Sequence, residues 1–118
     1  MNFHDDRSGA GGDDMQFQLN TDANIQGDER LAEVAETLVT AGLGHMTGRL
    51  SRVEVHLADV NGAKGGGDDI RCTLEARPEG MQPQTVTHSD ANVEAALRGA
   101  SKKIRALLES EFGKLERR

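Results

Sequence analysis

The sequence predicts an α+β fold in the order strand, helix, three strands, helix, with two helices packed on one face of a four-stranded mixed sheet. Three observations predict it. Four segments alternate apolar and polar residues with period two, and two others repeat apolar residues at i, i+3, i+4 and i+7. Each strand is hydrophobic on one side only, so both helix stripes must bury against the same face. A length of 118 residues suits one core and one domain.

Residues 1–14 (MNFHDDRSGAGGDD) offer Gly, Asp and Ser with almost nothing to bury, which predicts a disordered tail and leaves 15–118 as the single domain. Met15, Phe17 and Leu19 then alternate with Gln16, Gln18 and Asn20 in a first strand. Asp28 and Glu29 suit the positive end of a helix whose stripe is Leu31, Val34, Ala35, Leu38, Gly42 and His45/Met46. In the second strand, Arg52 to Val60, Val53, Val55 and Leu57 share one face, and Arg52, Glu54, His56 and Ala58 the other.

The turn-forming loop NGAKGGGDD (61–69) leads into a third strand, where Ile70, Cys72, Leu74 and Ala76 alternate with Arg71, Thr73, Glu75 and Arg77. Pro78, Gly80 and Pro83 close that strand and open a short fourth, Gln84 to His88. Asp90 or Asn92 caps a last helix with the stripe Val93, Leu97, Ala100, Ile104, Leu107/Leu108 and Leu115. The first strand, first helix and second strand should form a right-handed crossover, with the two strands parallel if they are adjacent.

Composition narrows the function. Aromatics are 3% of the chain, with no Trp and no Tyr, so the core is built from Leu, Val, Ile and Ala. Cys72 is the only cysteine, which rules out an intrachain disulfide and fits a reducing cytoplasm. No apolar run approaches the roughly 20 residues a membrane helix needs. A net charge of -6 argues against a general nucleic-acid binder, yet the charge is graded. Residues 1–27 carry -4 and 28–79 carry -4, whereas 80–118 carry +2.

Several motifs reduce to ordinary structure. Lys64 precedes Gly65, Gly66 and Gly67 and a strand follows, the reverse of a phosphate-binding loop. Asp59, Asn61 and Gly62 have the wrong spacing for a calcium loop. His45, His56 and His88 fall in separate elements without metal-ligand spacing, and Cys72 alternates with core residues. No enzyme, cofactor, metal or small-molecule substrate is expected.

One constellation has direction: Arg98, Lys102 and Arg105 at i, i+4, i+7 on the side of the last helix away from its apolar stripe, with Lys103 flanking. Such a row can follow a phosphate backbone; it is also an ordinary solvated face that Glu109 and Glu116 share. Arg52, Arg71 and Arg77 on the outer sheet face, beside His56, alternate with Glu54 and Glu75, which fits cross-strand ion pairing as well as RNA binding.

The stretches NTDANIQGDERLAE, SRVEVHLADVNG and GGDDIRCTLEARPEGMQPQTVTH, with the final KKIRALLES, resemble the ribosome hibernation-promoting and ribosome-associated inhibitor family. The resemblance spans Met15 to about Leu115 and implies a β-α-β-β-β-α domain that sits in the mRNA and tRNA channel of the small ribosomal subunit and silences translation under stress. It implies a short form, monomeric off the ribosome, with rRNA and ribosomal proteins as partners. Arg98, Lys102, Lys103 and Arg105 carry over as rRNA contacts, with Arg52, Arg71 and Arg77 beside them. First-helix acids Glu29, Glu33 and Glu36 depart from the family's basic helices. That leaves open an acidic paralog acting as a protein-binding regulatory module without rRNA affinity.

Overall fold

The computed structural model describes residues 2–5, 15–60 and 69–116. Its elements are β1 (Asn2–Asp5), β2 (Gln16–Thr21), α1 (Glu29–Leu43), a 3-10 segment (Gly44–Arg49), β3 (Leu50–Asp59), β4 (Ile70–Pro78), β5 (Gln84–Asp90) and α2 (Val93–Glu116). From β2 onward this is the α+β order expected. Among the described residues the sheet runs β1-β2-β3-β4-β5, with β2 and β3 parallel and every other neighbouring pair antiparallel. The long connection through α1 is what a parallel pair requires.

β1 adds an edge strand within the segment expected to be a tail. Asn2 to Asp5 pair with Asn20 to Phe17. A ladder of backbone hydrogen bonds needs no apolar run, so composition alone gave no sign of it. The rest of the expected tail lies outside the described residues, as does the glycine loop with Lys64.

Phe17, Leu19, Val53, Val55, Leu57, Cys72, Leu74 and Ala76 form the buried sheet face, and they pack in one cluster with residues of both helices. Asp28 caps α1, its side chain accepting from Leu31 N–H at 2.9 Å. Asn92, not Asp90, caps α2 by accepting from Ala95 N–H at 2.8 Å. α1 stops at Gly44, whose φ of 62° turns the chain into the 3-10 segment; Met46 is buried there rather than on a continued helix. The helices meet closely at Gly42, where a Cβ would lie 2.6 Å from the Cβ of Ser101.

Two stripes differ from expectation. In α1 the fully buried residues are Ala32, Ala35, Val39 and Leu43, while Leu31, Val34 and Leu38 are only half-buried. The small side chains of Ala32 and Ala35 face the core, and the larger Leu31, Val34 and Leu38 sit at its margin. In α2, Phe112 completes the core, and Leu115 is 44% exposed because the helix runs past the sheet. Arg49 stacks over the Phe112 ring at 3.6 Å, closing that end.

Candidate nucleic-acid interface

α2 turns Arg98, Lys102 and Arg105 away from the core. Between Glu94 and Glu109 this helix has basic residues and no acidic one. Arg98 reaches back to Glu94 at 3.9 Å, and Arg105 Nε donates forward to Glu109 at 3.2 Å. Both are one-turn pairs at the ends of the row. Exposed pairs of this kind contribute about 0.3–0.5 kcal/mol, so a phosphate can replace the carboxylate at little cost. Lys102, at the centre, is exposed and makes no hydrogen bond or ion pair with the described residues.

Lys103 does something else. It lies about 100° around the helix from Lys102, and its Nζ donates to the Thr87 carbonyl at 3.0 Å. That carbonyl belongs to β5, the last strand of the sheet. Lys103 comes from α2 and not from the strand, but its ammonium sets a positive charge against the edge strand, which opposes pairing with another chain. Backbone geometry, invisible in sequence, gives Lys103 this position.

The outer sheet face holds the other candidates in a separate cluster. Because both helices cover the inner face, this face looks the opposite way from α2's basic row. Arg52 is locked: Nε donates to Glu54 at 2.8 Å, one terminal nitrogen to Gln16 at 3.2 Å and the other to Gln18. Glu54 also faces His56 Nε2 at 3.4 Å. The Arg52 hydrogen bond, helped by the charges of Arg52 and His56 and opposed by burial, holds its carboxyl below the ordinary value. Arg77 sits 4.0 Å from Glu75.

Arg71 makes no such pair with the described residues. It lines an open cavity of about 250 Å³ with Asn20, Asp22, His56 and Thr73. The Asn20 amide contacts His56 Nδ1 at 3.3 Å, and both Asp22 oxygens accept backbone N–H groups, from Asn24 and Asp59. Sequence reasoning missed Asn20, Gln16 and Gln18 as partners of this face. Their alternation with Phe17 and Leu19 was the available signal.

The seven expected residues therefore do not form one patch. Arg98, Lys102 and Arg105 form a continuous row; Arg71 lies on the far side with Arg77, whose pair with Glu75 is as loose as that of Arg98; Arg52 is held by Glu54, Gln16 and Gln18, and Lys103 by β5. Cys72 is buried, and burial pushes its thiol up to about 12, which suppresses the thiolate. Among the described residues no group of His, Cys, Asp and Glu is placed to hold a metal, and no helix is long and apolar enough to cross a membrane.

No family model matches the sequence, and no curated protein matches it. Solved structures do. The N-terminal domain of Protein Y from Thermus thermophilus superposes with a TM-score of 0.60 at 17% identity, covering 78% of this chain and 92% of that one. A ribosomal subunit interface protein from Coxiella burnetii superposes with a TM-score of 0.67 at 8% identity, covering 82% and 97%. The chain shares their fold. At these identities the likeness shows the fold alone.

Proposed function

We propose that this chain is a ribosome-binding protein of the hibernation-promoting and ribosome-associated inhibitor family, acting in the cytoplasm by occupying the mRNA and tRNA channel of the small subunit without chemistry. The fold shared with a ribosomal subunit interface protein supports the reading. The observation that carries it to named residues is the acid-free middle of α2, with Lys102, which has no partner among the described residues, between two weakly held arginines. Arg71 is a lesser contact on the other face. Arg77, loosely paired with Glu75, is a lesser contact beside Arg71, whereas Arg52 and Lys103 support the structure around the interface.

Occlusion asks only for a folded body held by phosphates, and the row lies on one continuous helix. Each phosphate contact releases counterions, so binding weakens with salt by a log–log slope of roughly 0.7–0.9 per contact, taking the values for single and double strands. Cosedimentation of the purified chain with small ribosomal subunits at low and moderate salt tests the reading. Retention at low salt and steep loss as salt rises supports it; absence from the subunit fraction at every salt overturns it.

A second reading, a protein-binding regulatory module, is favoured by one observation: α1 presents acidic residues and half-buried Leu31, Val34 and Leu38 where an RNA-binding helix would be basic and polar.

A further inference from the structure

We propose that the outer shoulder of α1 docks a basic amphipathic segment of another protein. The inference deepens the protein-binding reading and does not depend on ribosome binding.

The apolar side of α1 is wider than the core can use. Ala32, Ala35, Val39 and Leu43 fill the inward face, and Leu31, Val34 and Leu38 continue it one step outward. Leu31 and Leu38 still touch the core at their bases; Val34 is not among the residues packed against it. Two hollows meet at Val34. One, about 210 Å³, lies where α1 and α2 begin and includes Leu31 and Val93; the other, about 280 Å³, runs along α1 past Leu38. Together they make an apolar floor about two turns long.

The rim fixes the chemistry of the occupant. Asp28 and Glu94 border the first hollow and Glu33 the second, against Arg30 as the one basic residue in either lining. From Asp28 to Leu43 there are four acidic residues and Arg30. Among the described residues Glu94 is tied only to Arg98, at 3.9 Å with both side chains about 60% exposed, so an incoming cation can displace that partner. An acidic rim repels nucleic acid, and an apolar floor gives phosphates nothing. A helix or extended segment with apolar anchors at i, i+3/i+4 and i+7 and Lys or Arg between them satisfies both parts.

The test titrates the full chain, followed residue by residue by NMR, with two synthetic probes. One is a Leu/Lys peptide of about 18 residues with leucines at helical spacing; the other is an oligolysine of equal charge. The Leu/Lys peptide should saturate, with shifts centred on Leu31, Val34 and Leu38, and oligolysine should not. Val34→Asn and Glu33→Gln should each weaken binding about fivefold or more, a change of about 1 kcal/mol. Glu79→Gln, the same charge change elsewhere, should alter it less than about twofold. Circular dichroism confirms that each variant folds.

Equal binding of oligolysine, equal weakening by Glu79→Gln, or shifts away from α1 would each overturn the proposal by reducing it to net charge. So would a short single-stranded RNA shifting Leu31, Val34 and Leu38, or a dimer in sedimentation velocity that Val34→Asn dissociates. The last result would make the occupant a second copy.

Discussion

α1 and α2 share one core and turn opposite surfaces to solvent. α1 places Glu29, Glu33 and Glu36 around half-buried leucines and Val34; α2 places Arg98, Lys102 and Arg105 on a polar surface with no acid between Glu94 and Glu109. Neither difference touches the buried stripes, which are aliphatic in both helices apart from Ser101 and Phe112. The fold constrains the inward face of each helix and leaves the outward face free to choose a partner. On this account α2 is the RNA-facing helix and α1 the protein-facing one.

The comparison requires a common platform, and the largest expected effect removes it. Val55 is fully buried at the centre of β3, beneath both helices. Val55→Asp should cost several kcal/mol of a total near 5–15, abolishing the cooperative unfolding transition in circular dichroism. A folded Val55→Asp would mean that the inner face is misassigned. Next comes the contact between the helices. Gly42→Val puts a side chain where a Cβ already lies 2.6 Å from Ser101 Cβ, and should destabilise by about 2 kcal/mol in urea unfolding.

How much of this was legible follows from which forces act locally. The alternation in β3 and β4 foretold Val55 and Leu74 as core because one face of a pleated strand must be dry. The stripe of α1 was read one step off. Ala35 lies in the expected stripe and is buried, but Ala32, Val39 and Leu43 are buried beside it in place of Leu31 and Leu38, and only the assembled layers decide between them. The basic row on α2 was legible from spacing alone. What held Arg52 and Lys103 was not: Gln16, Gln18 and the Thr87 carbonyl reach them from strands far away in sequence.

Smaller effects sharpen the distinction between cations that bind outward and cations that hold the structure. Glu54 has its folded pKa depressed below 4.5, chiefly by the Arg52 hydrogen bond. Its stabilisation is therefore present above about pH 4.5 and is lost as pH falls through the lower folded value. Glu54→Gln should cost about 1 kcal/mol at neutral pH and flatten the acid limb of the stability curve. An unchanged acid limb would show that Arg52 is free for RNA after all. Smallest is Lys103→Met, with a stability change within about 0.5 kcal/mol. It should raise self-association through the uncovered β5 edge in light scattering, while subunit binding stays near that of the parent.

The most direct test of the central claim, that α2 carries the attraction to rRNA, is cosedimentation with small ribosomal subunits of the triple variant Arg98→Glu, Lys102→Glu, Arg105→Glu beside a control, Arg7→Glu with Lys64→Glu. The triple variant should keep the parent's circular dichroism, because its three side chains face solvent or sit in exposed pairs, and should vanish from the subunit fraction at low salt. The control should remain bound, with a salt slope close to the parent's. Equal loss in both, judged per charge changed, would contradict the account, since the attraction would then belong to net charge and not to the row on α2.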